Sequence, residues 1–303
     1  MIPATAPLSV VVVTRNEELN LELCLASVHG LADQIFVIDS ESTDRTREIA
    51  RRYADEVHEL AYDHGRIIPW IFQWGLEHLP IRNQWVLLLE ADQVVPAALR
   101  REIGELLSGQ PVVHDGFYIR RRQIFRGRPI RFGGYGGKHL LKLFRNGRAE
   151  LDPLEQDTRV YVRGTVGRLR APLEEWNHKE DEILFYLEKH LRYAEAFARE
   201  ELLRRRHDLP WKLTPRLLGT PDERTLWLKS RYYRLPLFWR PFLYFIYRYF
   251  FLLGILDGAN GFLFHFLQAF WFRLVVDVRV SELLRRTSPP DAKPDRADHG
   301  AET

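Results

Sequence analysis

The sequence predicts an α/β fold, with a mainly parallel central sheet carrying helices on both faces and a helical region appended at the C-terminus. Three segments carry that prediction: LSVVVVTRNEE at Leu8–Glu18, IFVIDSESTDRT at Ile35–Thr46 and WVLLLEADQVV at Trp85–Val95. Each is an apolar strand that breaks directly into polar residues and then a helical pattern, which is how an α/β fold places a crevice at its strand C-termini. The third strand ends in two carboxylates, Glu90 and Asp92. Three polar edges meeting at one rim suit an anionic, metal-bridged ligand.

In order along the chain, strands at Val10–Val13, Gln34–Ile38 and Trp85–Leu89 alternate with helices at Glu17–His29, Asp44–Tyr53 and Pro96–Leu107. Such alternation gives a mainly parallel sheet. Ser42, Thr43 or Asp44 can cap the second helix, and Pro96 sits where a first-turn proline is tolerated. Residues 112–170 change character. Short β-like segments, GFYIRRRQIF, HLLKLF and TRVYVRG, are separated by glycine-bearing turns, and are expected to complete the sheet and shape a second substrate site. Leu184, Leu187, Leu191, Ala194, Ala198 and Leu202 then recur at helical spacing, predicting a long amphipathic helix. A connector with Pro210, Pro215 and Pro221 follows.

With 303 residues and 46% hydrophobic content the chain is long enough for a large core, and its formal charge of +3 is small against 44 basic and 41 acidic side chains. That balance gives no global support to a nucleic-acid partner. A single cysteine, Cys24, excludes an internal disulfide framework, and no zinc-type Cys/His spacing occurs. Both fit a reducing compartment, and a short apolar N-terminal run without a basic flank reads as a buried strand rather than a signal peptide.

Residues 235–278 are dense in Phe, Tyr, Trp and Leu. The two apolar stretches, Phe242–Leu256 and Phe262–Val276, are each about fifteen residues, against the roughly 20 that a spanning helix needs. Interleaved Arg234, Arg240, Arg248 and Arg273 suit helices lying in the headgroup layer, rings buried and guanidiniums at lipid phosphates. A soluble helical subdomain and a short membrane hairpin are the other readings. The tail from Thr287 to Thr303, rich in Pro, Asp and Ala, is expected to be disordered.

With these residues placed, the chain resembles family 2 glycosyltransferases of the GT-A (nucleotide-diphospho-sugar transferase) fold, and more narrowly the bacterial lipopolysaccharide-core glucosyltransferases. TRNEE at Thr14–Glu18, IDSESTDRT at Ile38–Thr46, LLLEADQ at Leu87–Gln93, DGFYIRRR at Asp115–Arg122 and LLKLFRNGRA at Leu140–Ala149 carry the likeness. EKHLRYAEAFA at Glu188–Ala198 and the aromatic stretch at Arg240–Phe270 extend it. Each motif is weak alone; their order and spacing are more specific. The resemblance implies a catalytic domain over residues 1–178, with a nucleotide-binding part over about 8–108 and an acceptor part over about 109–178. An amphipathic helix and connector (179–234), membrane-associated helices (235–286) and the tail (287–303) would follow.

The resemblance further implies a nucleotide-sugar donor, a divalent cation (Mg2+ or Mn2+), a lipid-linked or lipopolysaccharide glycan acceptor, and a peripheral location on the inner face of the cytoplasmic membrane. It assigns Thr14, Asn16 and Glu17 to the region of the base and ribose and Asp39 to the uracil or ribose. A carboxylate can accept from a nucleobase N–H or a ribose hydroxyl, and neighbouring amides suit the diphosphate. Capping is the competing role for Asn16 and Asp44. Relatives carry D-x-D or DADE at the third strand end. Here Glu90, Ala91, Asp92 and Gln93 stand there, so Asp92 is expected to ligate the metal and Glu90 to meet ribose or metal-bound water. His178 resembles a family histidine that meets metal or diphosphate in some relatives; a structural histidine is the alternative.

The general base is expected within PLEQDTRVYVRG, Pro153–Gly164, at Asp157, with Glu155 as the alternative. Relatives read H-E before a similar strand, where this chain reads Asp157 and Thr158. Arg120, Arg121, Arg122, Arg126, Arg128 and Arg131 form the densest basic strip, and strand alternation offers about half of them to phosphates of a donor or of a lipid-linked saccharide. The resemblance implies inverting transfer of a hexose such as glucose from UDP-glucose. Competing readings are a polyprenyl-phosphate glycosyltransferase, which needs no base, and a non-catalytic membrane-associated scaffold with a degenerate donor fold. No G-x-G-x-x-G follows the first strand, which argues against a dehydrogenase.

Overall fold

A computed structural model describes residues 5–61, 68–109, 111–151, 157–206 and 212–287. Glu155, Pro210 and the tail beyond Thr287 lie outside the described residues. The first half alternates β1 (Ala6–Thr14), α1 (Leu21–Val28), β2 (Ala32–Asp39), α2 (Thr46–Tyr53), β3 (Glu56–Glu59), α3 (Ile68–His78), β4 (Trp85–Glu90), β5 (Gln93–Val94) and α4 (Ala97–Ser108). Next come β6 (Gly116–Phe125), β7 (Arg128–Ile130), β8 (His139–Arg145), β9 (Ala149–Leu151), β10 (Val160–Val162), β11 (Val166–Arg168) and β12 (Leu173–Trp176).

The main sheet runs β3-β2-β1-β4-β8-β6-β12-β5, with β7 and β11 also paired to β6. Strands β3, β2, β1 and β4 are mutually parallel. Beyond them the sheet is mixed, since β8 runs antiparallel to both β4 and β6. The parallel expectation therefore holds for one half. In the other half β6, β11 and β12 keep the direction of the parallel set while β8, β7 and β5 oppose it. Strands β6 and β7 are joined by a two-residue hairpin at Arg126 and Gly127, both at positive φ (49° and 72°), the conformation that matches strand twist in tight hairpins.

Alternate residues of β1 enter opposite cores. Val10 and Val12 pack with α1 and α4 residues such as Leu25 and Leu99, whereas Val11 and Val13 pack with Phe72 of α3. Burial on both faces explains the unbroken valines. Register puts Thr14 opposite Asp39 and Val13 opposite Glu90, so three polar strand ends share one edge.

The C-terminal part contains a 3-10 turn at His178–Asp181, α5 (Ile183–Arg205), α6 (Pro221–Arg234), α7 (Trp239–Ile246), α8 (Gly258–His265) and α9 (Phe272–Thr287), with π turns at Tyr247–Phe251 and Phe266–Trp271. Thr220 caps α6 in a reciprocal box with Glu223, and Pro221 occupies its first turn. The inward stripe of α5 includes Tyr186, His190, Ala194, Ala198 and Leu202, while Leu184 and Leu191 are exposed. The expected stripe is thus corrected in its first half: Tyr186 and His190 stack at 3.9 Å and take the buried face.

The arginines among the aromatic residues also differ from expectation. Arg240 is fully buried, its guanidinium held by both oxygens of Glu201 (2.9 and 2.8 Å) and by Asp277. Arg248 donates to the Gly133 carbonyl through Nε at 2.7 Å and lies 4.2 Å above the Tyr135 ring. These two guanidiniums are used internally, where fixed acceptors replace water; Arg234 remains exposed. One run, Gly254–Arg286, is long and apolar enough to cross a membrane by length and composition, yet 44% of its most apolar window is buried. Its inner face packs on α5 through Phe272, Val276 and Val280. Trp239, Phe242, Phe250, Phe251, Leu253 and Leu256 remain exposed.

Candidate functional site

The polar edge of the parallel half is closed by the loops after β1 and β2. Asn16 is held at φ 52°, a left-handed conformation that asparagine tolerates better than most residues. From there its Oδ1 accepts from the Thr43 amide at 2.8 Å, so it ties the two loops together rather than capping α1. Asp44, one residue before the N-cap position Arg45 of α2, accepts from the Thr46 amide at 2.9 Å and from the Glu18 amide at 3.2 Å, bracing the first loop against the start of the helix. Asp39 is fully buried, and its carboxylate accepts from the Ser42 amide at 2.9 Å and from the Ser42 hydroxyl. As placed it shapes the loop beneath the edge instead of standing open on it. The Thr14 hydroxyl is buried and has no hydrogen-bond partner among the described residues, a cost that a ligand acceptor or donor would relieve.

The segment Asn177–Lys179 completes this edge; sequence reasoning singled out His178 within it but missed Asn177 and Lys179. The Asn20 side chain accepts from the His178 amide at 2.9 Å and donates to Glu17 at 2.7 Å. Lys179 reaches across to the Asn16 carbonyl at 3.0 Å and to the Glu17 carboxylate. On the other side the Trp176 amide donates to the Asp92 carbonyl at 2.7 Å, and Asn177 Nδ2 donates to the Asp92 carboxylate at 3.0 Å. Thr14, Asn16, Glu17, Glu90, Asp92 and His178 are thereby gathered on one rim. The sequence signal was NHKED placed directly after a short strand, polar residues with no capping role.

Charges on the rim are paired, with one exception. Glu17 meets Lys179, Glu90 meets the buried Lys142 at 3.1 Å, and Glu175 meets Arg121 at 3.1 Å. Gln93, standing where an acid would be usual, accepts from the Glu90 amide at 3.2 Å. Among the described residues no cation contacts Asp92. Burial, then Glu175, Glu90 and Glu17 raise its carboxyl well above the usual carboxylate range, against a lowering pull from Lys189.

A buried carboxylate crowded by other carboxylates and met by no cation is one that a bound cation would stabilise in its charged form. Among the described residues no three His, Cys, Asp or Glu side chains form a ready-made metal group. A hard divalent cation held by one or two side chains and completed by phosphate and water fits this donor set; a closed protein cage does not. Asp92 is the carboxylate that fits such an ion. His178, 41% exposed and 3.7 Å from Asp181, sits one residue beyond Asn177.

Asp157 is paired with Lys229 at 3.1 Å and with Arg159 at 3.8 Å. Burial would raise its carboxyl, but Lys229, Arg159 and Lys138 outweigh it and hold the group far below the ordinary carboxylate range. In this arrangement it is a weak proton acceptor. Beside the rim opens a cleft of about 580 Å³ lined by Arg120, Arg121, Arg122, Arg131, Glu174 and Trp176, among others.

Residues 9–176, more than half of the chain, match the family model for glycosyl transferase family 2. The chain belongs to that family. With the observed sheet, membership gives the GT-A fold class and a glycosyltransferase enzyme. Among curated proteins it is similar to the lipopolysaccharide core biosynthesis glycosyltransferase LpsC of Rhizobium meliloti, 28% identical over 176 residues, covering 56% of this chain and 63% of LpsC. An uncharacterized glycosyltransferase of Rickettsia bellii is 30% identical over 109 residues, 35% of this chain and 34% of that protein. The chain therefore matches between about a third and under two thirds of the length of these relatives. Among solved structures, S. aureus TarS residues 1–349 align over 93% of this chain and 92% of that one, with a TM-score of 0.39 and 14% identity. Glucosyl-3-phosphoglycerate synthase from Mycobacterium tuberculosis aligns over 40% and 44%, with a TM-score of 0.29 and 22% identity.

Proposed function

We propose that this family 2 enzyme is an inverting hexosyltransferase that moves a sugar such as glucose from a UDP-sugar to a membrane-linked glycan of the lipopolysaccharide-core type. The observation that carries the donor half is Asp92, the rim carboxylate without a cationic contact among the described residues. The acceptor half draws on the similarity to LpsC and on the exposed aromatic surface of α7 and its neighbours. That surface would rest on the cytoplasmic face of the membrane, rings in the headgroup layer.

In this reading Asp92 holds a divalent cation, with His178 beside it, and the ordered loop at Asn16 and Glu17 together with the Thr14 hydroxyl receives the nucleoside. A bound cation would offset the charge that builds on the departing diphosphate. Glu90 is neutralised by Lys142 and sets the field on Asp92 instead of competing with it. Transfer forms a bond between the acceptor oxygen and the anomeric carbon as the bond to the diphosphate breaks, which inverts the anomeric centre. The acceptor proton goes to a carboxylate, assigned to Asp157 or Glu155.

The ion pair of Asp157 with Lys229 favours a second reading, in which the nucleophile is a phosphate oxygen on a polyprenyl chain and no base is required. Calorimetric titration of UDP, GDP and dTDP, with and without Mn2+, tests the donor site. Metal-dependent binding of one nucleotide, lost in Asp92→Ala, is the expected result. Failure of all three to bind would leave a degenerate scaffold as the better reading.

A further inference from the structure

The basic cleft beside the rim is joined to the donor edge through one residue. Trp176 lines the cleft with its side chain while its backbone amide is bonded to Asp92. The four arginines that line it are not equivalent. Arg121 is paired with Glu175, and Arg122 with Glu174 at 2.8 Å. Glu174 also accepts from the Trp176 indole at 3.0 Å, so the one carboxylate in the lining is already engaged. Arg120 and Arg131 have no side-chain hydrogen bond or ion pair among the described residues. The uncompensated charge in the lining is positive.

The wall that presents Arg131 is fixed by the C-terminal helices. Asp257 accepts from the Arg131 amide at 3.1 Å and from the Phe132 amide at 3.0 Å, the Gly133 amide donates to the Leu252 carbonyl at 2.7 Å, and Arg248 holds the Gly133 carbonyl. Leu253 and Leu256, which flank these contacts in sequence, belong to the exposed apolar surface. The cleft thus lies between the donor edge and the surface assigned to the membrane.

We propose that this cleft is an acceptor subsite for a phosphate monoester, read by Arg120 and Arg131, with the Trp176 ring as a platform for the adjoining sugar. Two open guanidiniums suit a dianion that each can grip with paired N–H donors. A volume of about 580 Å³ accommodates a sugar with its phosphate. Such a group can come from two sources, a phosphorylated sugar of the glycan or the phosphate of a prenyl carrier. The inference rests on the transferase reading but fails separately from it, because it is tested at Arg120 and Arg131, whose side chains have no contact with Asp92 among the described residues.

The test is calorimetric titration of the full chain, saturated with UDP and Mn2+ and also without them, using glucose 1-phosphate, a short-chain prenyl phosphate and glucose as probes. One of the two phosphates is expected to bind and glucose not to, and which one binds identifies the source. Arg120→Gln and Arg131→Gln should each weaken that binding about ten-fold while leaving UDP binding unchanged. Asp92→Ala should do the reverse. Circular dichroism and thermal melting confirm that both variants fold; Arg120→Lys, which keeps the charge and loses the fork, should be intermediate. Absence of phosphate binding, binding indifferent to both arginines, or binding abolished by UDP would overturn the proposal.

Discussion

Asn177 donates its side-chain amide to the Asp92 carboxylate at 3.0 Å, a neutral contact in a rim where Glu17, Glu90 and Glu175 are each met by a cation. The difference decides what Asp92 can do. An ammonium in that place would compete with a metal ion; an amide orients the carboxylate and leaves its charge to be met by a ligand. Asn177→Ala should therefore weaken metal-dependent UDP binding less than Asp92→Ala does, about three- to ten-fold, by loss of orientation alone.

Because Asp92 is raised well above the usual carboxylate range, the protein alone holds a proton there at pH values where a free carboxyl would not. A metal ion needs the deprotonated form. Affinity for UDP with Mn2+ should rise with pH through that elevated pKa, and binding should release protons, seen as a dependence of calorimetric enthalpy on the buffer. Asp92→Asn should abolish both effects; a flat pH profile for the wild type would remove Asp92 as the ligand.

Asp157→Asn separates the two acceptor chemistries. With a hydroxyl nucleophile and Asp157 as base, turnover should fall by about two to four orders of magnitude with little change in donor binding. With a phosphate nucleophile, turnover should be retained within a few-fold. Glu155→Gln, measured beside it, assigns the proton to the neighbouring carboxylate if that variant alone is inactive.

Lys142 is almost wholly buried and leans on Glu90. Removing only the carboxylate leaves an uncompensated ammonium in the core, so Glu90→Gln should cost about 3 kcal/mol in urea unfolding. Lys142→Met should cost less, since Glu90 is 26% exposed and solvent can reach it. The double variant should recover part of the loss, and strict additivity would show the pair to be uncoupled.

His265 is fully buried, neither ring nitrogen has a hydrogen-bond partner among the described residues, and burial with Arg248 nearby pushes its pKa down to about 4. Its ring fills the space against Gly133, where a Cβ would lie 2.0 Å from it, so it keys the C-terminal helices onto the loop of the basic cleft. A depressed pKa means that the unfolded chain takes up protons first as pH falls. The contribution of His265 is whole above about 6.5 and is lost as pH falls toward 4. Thermal melts should drop across that window in the wild type and drop less in His265→Leu.

The exposed rings predict how the protein meets a bilayer. Trp239 is 69% and Phe251 74% exposed, whereas Arg240 and Arg248 are spent internally. Co-sedimentation with vesicles should fall about ten-fold in Trp239→Ser and in Phe251→Ser, from the area each ring buries, and should change little between low and high salt. A strong salt dependence with no effect of either substitution would assign binding to charge instead.

The strands β1, β2 and β4 were legible because each is buried on both faces and so reads as a continuous apolar run, and the helices that follow them carry a 3.6-residue period. Strand β3 (EVHE) and helix α3 were not. The first is a charged edge strand with no buried residue, and the second carries a proline at its second position and buries Pro69, Phe72 and Gly75, a face too mixed to stand out. The polar strand ends and the basic strip were likewise visible as residues, but not as partners.

What the sequence determined by itself is the alternation of elements, the polar edge at Thr14, Asp39 and Glu90, and the family, because those follow from local periodicity and from motif order. What only the tertiary structure decided is which charges are already answered. Lys142, Lys179 and Arg121 lie 52, 162 and 54 residues from the carboxylates they neutralise, and no local rule reports a contact at that separation. Whether a carboxylate is a ligand or half of an ion pair depends on what the fold carries to within about 3 Å of it; for Asp92 that is an amide, and for Glu90 it is a buried lysine.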